Sequence, residues 1–386
     1  MDRRSPGVRG QPAGTFEGER EIITNGQAVL VIIGAILAVT AIALPGPAIE
    51  EAGNDAYLST ALASVPAYVS AALFYYTGRR YRWEGPLGYL PRVFGQLAGK
   101  AVLLVHLVFF VLVAAAVGQE VPSVLGAVTM PLTPPWVFVA ATVLTASYVA
   151  YLGVENFSRL AQIVLPFLLA VLLVVPVMVG RFAEVGYLLP ILGDGWRPVL
   201  RGMAVPLAIR LEGAILFAFL LPHMMSPRRA LRAGAVISSA LALVLAVNAI
   251  SVMTVFSPEI ASTLQIPTLS LARMIRLGAV EHLETLVLGP WLMALMLKFA
   301  FYTYLASRIL QAVSGVRDWK ALVFPIAALT GALGLYLLPD SARLNASLSE
   351  VRPGLALLVA FVVPSVTLAV SLIRGRGHPA RQEQAG

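Results

Sequence analysis

The stretch "PLAIRLEGAILFAFLLP", Pro206–Pro222, is apolar from end to end except for Arg210 and Glu212 near its centre. Two ionisable groups in such a run take their meaning from the chain around them. Of the 386 residues, 58% are hydrophobic and only 12% are charged, about half the charge a soluble domain carries. Apolar runs of about 20 residues recur along the whole length, each able to cross a hydrocarbon core of about 30 Å. The composition therefore predicts an all-α polytopic membrane protein. The run that begins near Gln27 is too long for a signal peptide and lacks a following cleavage site, so it is expected to remain as a span. With no cysteine in the chain, disulfides and thiolate metal sites are excluded. The net charge of +8 sits in short loops between spans, which argues against a nucleic-acid partner.

Ten spans are predicted, at 27–44, 57–77, 95–117, 136–152, 157–179, 198–220, 232–256, 283–306, 320–338 and 353–373. An even number places both termini on one side. Of the 28 Lys and Arg residues, 19 fall on that side and 7 on the other, Arg343 and Arg352 among them; the remaining two are Arg210 and Lys298. The loops "PGPAIEEAGNDA" and "GQEVPSVLGAVTMPLTPP" hold none. By the positive-inside rule both termini are cytoplasmic. Residues 1–24 and 374–386 read as polar cytoplasmic tails, the first disordered, around a ten-helix domain at 25–373. The longest loop, 257–282, holds "IPTLSLARMIRLG", either a short interfacial helix or an ordinary connection.

Ten spans divide into five plus five, with halves at about 25–180 and 198–373. Transporters built from inverted repeats start each half with a discontinuous helix beside a midplane ligand. The first and sixth spans both hold "GAIL", at Gly34–Leu37 and Gly213–Leu216. A glycine at each place permits local unwinding.

No enzyme signature stands out. "GQLAGKA" at Gly95–Ala101 has one residue too few between its glycines for a phosphate loop and lacks the Ser or Thr after the lysine. The four histidines, at 106, 223, 282 and 378, lack metal-ligand spacing. No catalytic residue, metal or cofactor is therefore expected. The informative residues are those inside spans: Arg210, Glu212, Lys298 and His106. Each of the three charges costs about 2.5–3.5 kcal/mol at a bilayer centre. On an intact helix, Arg210 and Glu212 point to nearly opposite sides. Unwinding at Gly213 would let both line a polar cavity, where Glu212 can bind a ligand ammonium and a freed helix N-terminus can hold a carboxylate. Such a site suits a zwitterionic amino acid. Alternatively Glu212 neutralises Lys298 as a structural ion pair and Arg210 snorkels. Tyr302 follows Lys298 by one turn and serves either ligand or core; Tyr304 reads as core. His106 is either a satisfied interior histidine or a proton relay. Glu155 and Arg159 suit a helix pair or an inner gate.

Several segments together resemble the B-subunit (GerAB-type, endospore germination permease) family of spore nutrient germinant receptors. They are "QAVLVIIGAILAVTAIALPGPAIEEAGNDAYLS", "YLPRVFGQLAGK", "MPLTPPWV", "GVENFSRL", "RLEGAILFAFLLP" and "HLETLVLGPWLMALMLKFAFYTY", in the family's order. The resemblance implies the amino acid–polyamine–organocation transporter superfamily and its LeuT-like 5+5 inverted-repeat architecture. It implies a place in the inner membrane of the endospore, with A-type and lipoprotein C-type receptor subunits as partners. Carried over by position, the pocket for a small germinant such as an amino acid involves Gly34, Ala35 and Ile36, then Glu212, Gly213 and Ala214, then Lys298 and Tyr302. A proton-coupled amino-acid transporter working through Glu212 or His106 is the competing reading, and a membrane scaffold is a third.

Overall fold

A computed structural model describes residues 21–43, 45–264, 266–275 and 284–374. The tails at 1–20 and 375–386, with His282 and His378, lie outside the described residues. The described residues are helical nearly throughout. The ten expected spans are α1 (Asn25–Ala43), α2 (Ser64–Arg80), α3 (Gln96–Val128), α4 (Pro135–Tyr151), α5 (Val154–Val179), α6 (Ala204–Leu220), α7 (Ala230–Thr263), α8 (Glu284–Ser314), α9 (Lys320–Leu337) and α10 (341–373). Among the described residues, eight helical segments are long and apolar enough to cross a membrane, and the shorter apolar helices Asn25–Thr40 and Pro135–Tyr151 supply the other two positions. This is a multi-pass membrane protein.

The first helix of each half sits at the centre. α1 packs on α5, α6, α7 and α8, while α6 packs on α1, α2 and α10. α1 and α6 run antiparallel and are joined at one end. Ile23, just before α1, donates its N–H to His223 O at 2.8 Å and accepts from Met225 N at 2.8 Å, just after α6. In the same segment, Glu21 accepts the N–H of Val154 and that of Glu155, satisfying free donors at the start of α5.

Three local expectations change. α1 and α6 are each one continuous helix, without a break at Gly34–Ala38 or near Gly213. Gly213 serves close packing instead: a Cβ there would stand 3.4 Å from Ile32 and 3.5 Å from Ile36 of α1. α3 continues through Glu120 to Val128, so most of the second expected outer loop is helix. The loop "PGPAIEEAGNDA" folds into a helix, Pro45–Ala52, and a 3₁₀ turn, with Glu50 and Glu51 exposed but Asp55 buried and accepting Leu192 N–H at 3.0 Å. Within 257–282, Pro267–Arg273 is a helix, but Leu269, Leu271 and Ala272 are buried against α1, α5, α7 and α8 rather than lying on an interface.

Candidate functional site

Glu212 is wholly buried in the middle of α6, and its carboxylate is held from two other helices. Oε2 accepts from Lys298 Nζ at 3.0 Å and from Tyr302 OH at 2.8 Å, both on α8. Oε1 accepts from Arg352 of α10, whose Nε and Nη2 both close on it. Three hydrogen bonds and the nearby Nη2 of the same guanidinium engage a carboxylate that can accept about four. Lys298 and Tyr302 are four residues apart and so share a helix face, with Nζ 5.4 Å from the Tyr302 ring centroid. The ring meets Phe110 of α3 edge-on at 5.4 Å. The π-helical turn Ser347–Val351 ends immediately before Arg352, and such turns are frequent at functional sites. Glu120 of α3, 8% exposed, stands close enough to interact electrostatically with Lys298, Arg352 and Glu212.

Arg210 faces away. Two residues correspond to about 200° of helix rotation, and Arg210 lines a crevice among α2, α6 and α7, with Ala214 beside it. This separation explains why α6 needs no break. Glu212 finds its counter-ions on one side, and Arg210 is accommodated on the other.

The expected residues therefore fall into two groups. Glu212, Lys298 and Tyr302 meet; Arg210 and Ala214 lie across the helix from them. Gly34 faces Leu165 of α5, and Ile36 packs towards Gly213. Ala35 and Ile36 are buried within regular helix, with their backbone committed to it. His106 joins neither group. Its Nδ1–H donates to Val102 O at 2.9 Å within α3, and its ring meets Phe219 at 5.6 Å. Glu155 and Arg159 form an exposed i, i+4 pair at 2.6 Å. Tyr304 packs between Phe157 and Trp319. Sequence reasoning missed Arg352, counted as an outer-loop cation, and Glu120, assigned to a loop. Their signal was position: each adjoins or continues an apolar run.

The profile of a family described as spore germination protein matches residues 22–336, most of the chain and all of the cluster except Arg352. The chain belongs to this family. Among its relatives, spore germination protein YndE of Bacillus subtilis (strain 168) is 25% identical over 359 residues, covering 92% of this chain and 98% of that protein. Spore germination protein XB of Bacillus anthracis is 23% identical over 288 residues, 74% of this chain and 80% of the relative. Spore germination protein A2 of Bacillus subtilis (strain 168) is 23% identical over 305 residues, 77% and 81% respectively. Among solved structures, MhsT in complex with L-phenylalanine superposes with a TM-score of 0.66 at 14% identity, covering 92% of this germination permease and 99% of MhsT. A substrate-bound, outward-open Na⁺-coupled sialic acid symporter superposes with a TM-score of 0.61 at 11% identity, covering 88% and 79%. The permease thus has the LeuT-like transporter fold.

Proposed function

We propose that this protein is the permease-like subunit of a nutrient germinant receptor in the spore inner membrane, binding a small zwitterion, an amino acid, at the Glu212 cluster. The observation that carries the reading is the Glu212–Lys298 pair at 3.0 Å, completely buried between the first helix of the second half and α8. A zwitterion can enter such a pair by exchange. Its ammonium takes the place of Nζ on Glu212, its carboxylate receives Lys298, and the number of buried charges stays balanced. Exchange loosens α8 from α6 while Arg352 still holds α10. That differential change in contacts is what a ligand needs in order to shift a conformational equilibrium. A-type and lipoprotein C-type partner subunits would receive the shift as the germination signal. The amino acid bound to MhsT, a protein of the same fold, is consistent with a ligand of this class.

Equilibrium binding across an amino-acid panel, on the purified complex with its partner subunits, tests the proposal. One or a few amino acids should bind saturably to the parent, with at least about tenfold weaker binding to Lys298→Met. Binding of no amino acid, or equal binding to both, would overturn it. Solute transport is the second reading, favoured by the fold shared with a Na⁺-coupled symporter. Uptake of the bound amino acid into proteoliposomes separates transport from sensing. Proton coupling through His106 finds no support in its contacts, which are a backbone carbonyl and a phenyl ring.

A further inference from the structure

Arg210 is 2% exposed, and its Nε, Nη1 and Nη2 have no hydrogen-bond partner among the described residues. A guanidinium carries five N–H donors and no acceptor, so nothing about this burial is self-satisfying. The acids nearby are already used: Glu212 is held by Lys298, Tyr302 and Arg352 on the far side of α6, where Glu120 also sits. Two acids there face two bases, which leaves the Arg210 charge without a counter-ion.

The space in front of it has a definite size and lining. Ala67 and Ala71 of α2, Ala214 of α6, and Gly234 and Ser238 of α7 surround it. Their small side chains leave a void of about 10 Å³, which is room for one water-sized sphere. Ser238 brings a hydroxyl, and hydroxyls donate to anions. Arg210 stands about 9 Å along the helix axis from Ala204 and about 15 Å from Leu220, taking the 1.5 Å rise per residue. That depth removes a lipid headgroup phosphate from consideration, and the volume removes a whole amino acid.

We infer that the crevice among α2, α6 and α7 is a binding site for one monovalent anion of halide size, held by Arg210. The anion supplies the missing counter-charge within the apolar interior and fills the gap that the small residues leave. The site lies across α6 from Glu212 and rests on no part of the germinant reading.

The test uses the purified full-length protein in detergent, with thermal midpoints measured in sodium chloride, sodium bromide and sodium gluconate at matched ionic strength. Chloride and bromide should raise the midpoint saturably relative to gluconate, and Arg210→Met should lose the difference. Should the Met variant fail to fold, saturable binding of radiolabelled chloride to the parent, displaced by bromide and not by gluconate, decides the matter alone. Equal midpoints in all three salts with no saturable chloride binding would overturn the site. So would a halide response undiminished in Arg210→Met. Protection by acetate or glycine in place of halides would assign the guanidinium to a ligand carboxylate and likewise remove the halide assignment.

Discussion

Arg352 closes on Oε1 of Glu212 with both Nε and Nη2, joining positions 140 residues apart in the chain. A planar guanidinium makes this two-pronged contact and an ammonium does not. Arg352→Lys should therefore weaken the protein, and Arg352→Gln should weaken it further, by about 3 kcal/mol, the lower end of the range for breaking a buried pair. Thermal midpoints in detergent check this. Unchanged midpoints in both variants would mean that the contact contributes nothing.

Removing the carboxylate strands two cations. Glu212→Gln leaves Lys298 and Arg352 buried without a counter-ion, so it should destabilise by about 3–5 kcal/mol. The insertion cost moves the other way, because a neutral amide inserts more easily than a charge. Adding Lys298→Met to Glu212→Gln should recover part of the loss, with a coupling of about 1 kcal/mol or more in the double-mutant cycle. Strict additivity would show that the two residues do not interact.

Tyr302 separates packing from hydrogen bonding. Tyr302→Phe keeps the ring against Phe110 and loses only the O–H···O⁻ bond to Glu212. A loss of about 1.5–3 kcal/mol is expected. Tyr302→Ala adds a cavity and should cost about 3–5 kcal/mol. If the two variants matched, the hydroxyl rather than the ring would carry the whole contribution.

What could be read from residues alone divides along physical lines. The helical pattern was legible, because a run of about 20 apolar residues has few other uses: eight described helices are long and apolar enough to cross a membrane, and two shorter apolar ones fall at the remaining expected positions. Glu212 and Lys298 were legible because charge is costly inside a span. Arg352 was not, because it stands where the last apolar run begins and a terminal cation there looks like a loop residue. The π turn just before it leaves no recognisable trace in composition. Gly213 misled for a related reason. Glycine permits unwinding and close helix packing equally, and only the positions of Ile32 and Ile36 across the interface show which one applies.

Gly213→Ala follows from that distinction. In a continuous helix alanine gains about 1 kcal/mol of propensity over glycine, set against contacts at 3.4 and 3.5 Å that need little adjustment. The Ala variant should accumulate in membranes and melt within about 1 kcal/mol of the parent, while Gly213→Leu should force α1 and α6 apart and fail. Poor folding of the Ala variant would point back to an unwound helix.

Topology can be mapped directly, since the native chain holds no cysteine. Single substitutions Glu51→Cys and Arg229→Cys place thiols at exposed positions at opposite ends of the bundle. A membrane-impermeant maleimide should label the first from outside and the second only after permeabilisation, following the bias in basic residues. The reverse pattern would invert the whole orientation.

The backbone bonds between Ile23 and the His223–Met225 segment restrict how the two halves can move. Clasped at that one end and packed at the other, where Pro45–Ala52 lies against Trp196–Gly202 just before α6, α1 and α6 can part like the arms of a nutcracker only by undoing the far packing. Displacement is least beside the clasp and grows towards the Ala43 end of α1 and the Ala204 end of α6. Glu212 lies part-way along one arm, so the gap that opens beside it is set by an angle rather than by a translation. A rotation of a few degrees there becomes ångström-scale travel at the far tips, where the short helix Pro45–Ala52 is attached.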